Sequence, residues 1–205
     1  MTTLWLSDED GPAIHVLVVG VGRYDYFRGG HKHQVRASAM AKGMEQLTSP
    51  PASAYEVCMT LMKELRDLPA RALGSIEAVI AAEDPQPPAG FADLFPDVDG
   101  EVGATAELRD VNEAFERWYD RCDGDRDNVA LFYFCGHGLE LGAYGEHALL
   151  LQDTRPSRFA PFENSLDVRG TVQNMQGNRA AIQCFFIDAC RSSKDLDLNT
   201  VALAP

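Results

Sequence analysis

Two apolar runs constrain this chain more than anything else in it. Residues 131–135 (LFYFC) break at Gly136-His137-Gly138, and residues 182–187 (IQCFFI) end in Asp188-Ala189-Cys190. Short, aromatic-rich runs of this kind, stopped by polar or turn residues, read as buried strands of a parallel sheet. If the two strands are parallel neighbours, both carboxyl ends open at one sheet edge. An imidazole and a thiol then stand side by side, the minimum equipment for a cysteine nucleophile.

The rest of the chain alternates in the same style. Residues 14–20 (IHVLVVG) read as a buried parallel strand followed by a glycine-containing loop. A helix is expected over about 35–47, with Met40, Met44 and Leu47 on one side. A second helix is expected from a capping box of Ser53 and Glu56, with Ala54, Val57, Cys58, Leu61, Met62 and Leu65 on one face. Residues 75–81 (SIEAVIA) read as a strand, and the proline-rich stretch 83–103 as a long surface excursion. From Thr105 a helix carries a buried stripe of Leu108, Val111, Phe115, Trp118 and Cys122, stopped by Asp123-Gly124-Asp125. A short strand over 147–151 and a helix over about 165–177 precede the second of the opening runs. This order predicts an α/β fold with a mostly parallel central sheet and one domain spanning 1–205.

Composition narrows the function classes. The 205 residues carry a formal net charge of −13, which argues against nucleic-acid binding, since that rests on Lys and Arg. The same charge favours a basic partner or substrate. Five cysteines (58, 122, 135, 184 and 190) sit mostly inside helix or strand patterns, not in a disulfide framework. The acidic start, with Asp8, Glu9 and Asp10, is unlike a signal peptide, and no apolar run approaches the ~20 residues of a membrane span. A cytoplasmic, membrane-free protein is expected. Gly20 and Gly22 do not complete a dinucleotide fingerprint, because Asp25 stands where the third glycine belongs.

At the carboxyl edge, His137 can exchange the proton of a thiol at Cys190, whose thiolate is the attacking species. The backbone N–H groups of Gly138 and Cys190 are the expected oxyanion donors. The second chemical reading is a zinc site built from Cys135, His137, Asp188 and Cys190.

These residues resemble the caspase-like cysteine peptidases, which include caspases, metacaspases and their bacterial relatives. Residues 16–24 (VLVVGVGRY) are similar to the family's first strand and turn, residues 132–138 (FYFCGHG) to its histidine strand, and residues 185–191 (FFIDACR) to its nucleophile strand. The resemblance implies a three-layer α/β/α fold and an endopeptidase working through His137 and Cys190 without a cofactor. Asp188 occupies the position that lines the P1 pocket, so the resemblance implies cleavage of a protein substrate after Arg, then Lys. A second acidic P1 residue of metacaspases has no counterpart, since Ala52-Ser53-Ala54 occupies its place; Asp25 is a substitute candidate. The resemblance implies that residues 191–205 are the start of an inter-subunit linker and that the family's C-terminal portion is expected outside these residues. A C-terminal small-subunit fragment or downstream domain, and an activating sensor or upstream protease, are therefore the implied partners, and a bacterial defence or cell-death effector the implied role. The alternative is a catalytically silent caspase-like scaffold.

Overall fold

The computed structural model describes residues 2–8, 11–33, 43–98, 102, 104–141, 146–156 and 162–190. The central sheet is built from β1 (Thr2–Leu6), β2 (Ile14–Val21), β3 (Leu73–Ala81), β4 (Val129–Gly136) and β8 (Ile182–Ala189), in the order β1-β3-β2-β4-β8. Only β1 runs antiparallel to its neighbour. A second sheet, β5 (Gly138–Leu141), β6 (Glu146–Arg155) and β7 (Glu163–Asp167), is antiparallel throughout. The mixed α/β class and the mostly parallel sheet are as the sequence reading expects.

Strand alternation creates two cores. In β2, Val16 and Val18 face one cluster while Leu17, Val19 and Val21 face the other. In β4, Phe132 and Phe134 belong to the second cluster, and Tyr133 and Cys135 to the first. Helix α1 (Ser49–Leu65) covers the first cluster with Ala54, Tyr55, Cys58, Met59 and Met62. The short α2 (Phe91–Leu94) extends it, since Phe91 packs edge-on against Tyr55. Helix α3 (Leu108–Asp123) covers the second cluster with Val111, Ala114, Trp118 and Cys122. Helix α4 (Val168–Met175) adds Met175 to that side.

Several expectations are corrected. Helix α1 starts at Ser49, ahead of the expected Ser53 cap, with prolines in its first turn, where a missing N–H costs nothing. The expected helix over 35–47 does not reach its end: residues 43–47 are not helical, and Glu45 bridges to Arg28. Residues 35–42 lie outside the described residues. The stretch after β3 is not purely superficial, because Phe91, Phe95 and Val102 are buried. The helix expected over 165–177 is divided between β7 and α4; the Asp167 carboxylate accepts from the N–H groups of Arg169 and Gly170 and starts α4 there. Strands β1, β5 and β7 were not foreseen, being short and weakly alternating.

One polar knot ties α3 to the sheet. Glu77, fully buried on β3, receives Arg117 at 2.7 Å, the Arg121 guanidinium, and the Thr3 hydroxyl at 2.7 Å. Burial alone would raise its pKa, but these hydrogen bonds outweigh it and hold the carboxylate below its ordinary range. Replacing Glu77 by Gln leaves the two arginines facing a neutral amide. The expected loss is about 3 kcal/mol, the low end for removing one partner of a buried pair, because both arginines reach water. Urea denaturation of Glu77→Gln against the wild type measures it, and a loss below about 1 kcal/mol would refute the role of the knot.

Candidate active site

The register of β4 and β8 builds the site. Cys135 pairs with Asp188, and Gly136 with Ala189. One step further, His137 and Cys190 leave the sheet side by side, on main chains about 5 Å apart in a parallel sheet. Two glycines let the chains close up. A Cβ on Gly136 would lie 2.8 Å from Tyr24 Oη and 3.1 Å from Phe134 Cζ. A Cβ on Gly138 would lie 2.9 Å from both Ala189 Cβ and the Cys190 carbonyl oxygen.

His137 is held from three directions. Its backbone N–H donates to Tyr24 Oη at 2.8 Å, and that hydroxyl donates to the Val21 carbonyl at 2.9 Å. Its ring lies 4.8 Å from the Tyr24 ring, which itself stacks on Phe27 at 5.1 Å. Its Nε2 lies 2.9 Å from the Glu45 carbonyl oxygen. A carbonyl only accepts, so Nε2 carries a proton and, in the neutral ring, Nδ1 is the basic nitrogen. Burial raises the Tyr24 phenol far above its ordinary value, so the hydroxyl stays protonated and keeps donating.

The Glu45 carbonyl is itself fixed. The Gln46 side chain accepts from Tyr24 N–H at 2.6 Å and donates to the Tyr24 and Arg28 carbonyls at 2.9 and 3.1 Å. Leu47 N–H donates to the Gly22 carbonyl at 2.8 Å. The sequence reading missed Glu45 and Gln46. Glu45 contributes a main-chain oxygen that any residue would supply, so its identity carries no signal.

Asp188 projects to the α1 face, as alternation along β8 requires. It is exposed and faces the Tyr133 phenol, whose pKa is raised by burial first and by Cys135 and Asp188 next. Cys135 is separate from Cys190. Its Sγ donates to the Pro50 carbonyl at 2.9 Å, and burial first, with Asp188 adding, raises its pKa to about 11. The four residues of the zinc reading are therefore not brought together around one point. Among the described residues no group of three or more such side chains is placed to hold a metal ion.

Gly138 sits opposite Leu149, and Leu150 N–H donates to the His137 carbonyl at 2.9 Å. Gly138 and Leu149 thus form a non-hydrogen-bonded pair, whose N–H groups point away from the partner strand. Cys190 is exposed and borders a cleft of about 140 Å³ with Gly138 and Ala189. A larger hollow, about 440 Å³, lies beside the start of α1 and carries Glu56, Glu83 and Asp84 but neither histidine nor cysteine.

Asp25 fails as a substitute substrate carboxylate. It is 1% exposed and already paired with Lys32 at 2.8 Å and His31 at 3.4 Å, and it accepts from Gln152 at 3.2 Å. His15 is structural: burial first, then Arg121, lowers its pKa to about 4, and its Nδ1 lies 2.9 Å from the Ser75 hydroxyl.

A layered α/β sheet that places an imidazole and a thiol at adjacent strand ends belongs to the class of caspase-type folds. The family model of the caspase domain, peptidase C14, matches residues 16–202, and the chain belongs to that family. No curated protein matches it.

Tyr24→Phe keeps the ring but leaves His137 N–H and the Val21 carbonyl without their partner. The expected cost is about 1–3 kcal/mol, the penalty for orphaned buried groups. Denaturant unfolding measures it, and an unchanged midpoint would show that the hydroxyl does not hold His137.

Proposed function

We propose that this caspase-family domain is a cysteine endopeptidase in which Cys190 attacks and His137 moves the proton. The observation that carries the reading is the orientation of His137. With Nε2–H committed to the Glu45 carbonyl, Nδ1 is the nitrogen that can take the thiol proton. The Cys190 sulfur bonds the substrate carbonyl carbon, and the oxygen becomes an oxyanion. The N–H groups of Cys190 and Gly138 are its donors, the latter because it is turned away from β6. As the C–N bond breaks, the imidazolium returns its proton to the leaving amine. Water, deprotonated by the same imidazole, then hydrolyses the thioester.

The P1 preference is Arg, then Lys. Asp188 offers a carboxylate two residues before the nucleophile, and a guanidinium can bond it in two places. The net charge of −13 favours the same sign of substrate. Asp188 is open to solvent, so the pocket needs a further wall. Among the described residues no strand pairs with the outer edge of β8, and Ile182 is 47% and Phe186 54% exposed, which supports a C-terminal small-subunit fragment as the partner that supplies it. Among the described residues no helix is long and apolar enough to cross a membrane.

A silent scaffold is the second reading, favoured by that same unfinished wall. Peptides identical except for Arg, Lys or Asp at P1 separate the two. The expected order of kcat/KM is Arg, Lys, then Asp, with no turnover by Cys190→Ala. Asp188→Ala should lower kcat/KM for the Arg peptide by about ten- to a hundredfold, the worth of charge-assisted hydrogen bonds. Preference for Asp would overturn the assignment of Asp188, and turnover by Cys190→Ala would overturn the nucleophile.

A further inference from the structure

The supports of His137 described above hang from one loop, residues 24–33. Tyr24 receives the His137 N–H, and the Phe27 ring lies 6.1 Å from the imidazole. The same loop holds the segment that presents the Glu45 carbonyl. Gln46 donates to the Tyr24 and Arg28 carbonyls, and the Arg28 guanidinium pairs with the Glu45 carboxylate at 2.8 Å. The loop doubles back so closely that a Cβ on Gly30 would collide with the Tyr24 and Asp25 carbonyls.

The groups that touch the imidazole are neutral, but the loop behind them buries a carboxylate. Asp25 is 1% exposed. Its N–H donates to the Gln152 carbonyl at 2.9 Å, and its own carbonyl accepts from the Lys32 N–H at 2.8 Å, so the main chain fixes the side chain in place. Among the described residues, the side chains facing that carboxylate are Gln152, His31 and Lys32. Gln152 donates from Nε2 at 3.2 Å but brings no charge; its amide is oriented by the Ala106 N–H, which donates to Oε1 at 2.9 Å. His31 Nδ1 lies 3.4 Å away, and a neutral imidazole brings no charge either. Lys32 Nζ, at 2.8 Å, brings a full positive charge, and its hydrogen bond to Asp25 is the first cause of its raised pKa. Asp153 on β6 sharpens the need for a cation, since its pKa is raised by burial first and by the Asp25 charge as well.

We propose that Lys32 is a positioning residue for His137: by neutralising the buried Asp25 it lets the 24–33 loop close, and the closed loop holds the imidazole beside Cys190. Without that ammonium the carboxylate is buried against an amide alone, and removing one partner of a buried pair is strongly unfavourable. The loop then opens to rehydrate Asp25 and withdraws Tyr24, Phe27 and the Glu45 carbonyl from the ring. This inference rests on the Cys190–His137 reading above.

The test reads iodoacetamide alkylation of each cysteine in the full chain at neutral pH, by peptide mass mapping. Lys32→Met should slow Cys190 by about tenfold or more, approaching the His137→Ala rate, because a misplaced base no longer takes the thiol proton. In a His137→Ala background Lys32→Met should add less than about twofold, since changes that act through one group are not additive. Adding Asp25→Asn to Lys32→Met should return Cys190 to within about threefold of the wild type, because a buried neutral amide needs no counter-charge and still accepts from Gln152. Cys58 and Cys122, buried in the two cores, should stay unreactive throughout. An unchanged Cys190 rate in Lys32→Met, no recovery with Asp25→Asn, or a loss that persists in full without the imidazole would overturn the role of Lys32. Alkylation of Cys58 and Cys122 in Lys32→Met would assign the loss to general unfolding and overturn it too. If His137→Ala itself leaves Cys190 unchanged, the Cys190–His137 reading fails, and this inference with it.

Discussion

The parallel register between β4 and β8 is the constraint on which the rest depends. Gly136 opposite Ala189 makes His137 and Cys190 the next pair, without any loop having to bring them together. A shift of one residue would reverse every side chain of β8 across the sheet. Phe185 would leave its contact with Phe132, and Asp188 would leave the Tyr133 face. The hydrophobic patterning that builds the two cores is therefore the same patterning that aligns the chemistry.

The imidazole is positioned by main-chain groups and buried aromatic rings. Tyr24 fixes the His137 backbone, the Glu45 carbonyl fixes the ring, and Gln46 clamps the segment carrying Glu45 onto the loop after β2. None of these holding groups has to ionise. Buried groups with raised pKa values, such as Tyr24, remain neutral donors across the physiological range. The geometry of the pair thus does not depend on the protonation of its supports.

The four parallel strands, the two covering helices and the two strand ends were legible in the sequence because they rest on continuous apolar runs and on helical periodicity. Val111, Trp118 and Cys122 on α3, and Ala54, Cys58 and Met62 on α1, repeat at helical spacing and are buried. What was not legible depends on tertiary contact. Residues 43–47 pattern like the end of a helix, yet Gln46 finds better hydrogen bonds across to Tyr24 and Arg28. Glu45 acts through an oxygen common to all residues. Asp25 stands in a suggestive place in the sequence, but it is buried and already paired with Lys32.

The central claim is that His137 controls the reactivity of Cys190. Its most direct test is the alkylation rate of each cysteine by iodoacetamide at neutral pH, read by peptide mass mapping in the wild type and in His137→Ala. The account predicts that Cys190 reacts fastest of the five in the wild type and slows by about tenfold or more without the imidazole, as a thiol losing its base should, while Cys184 is unchanged. A Cys190 rate that is the same with and without His137 would contradict it.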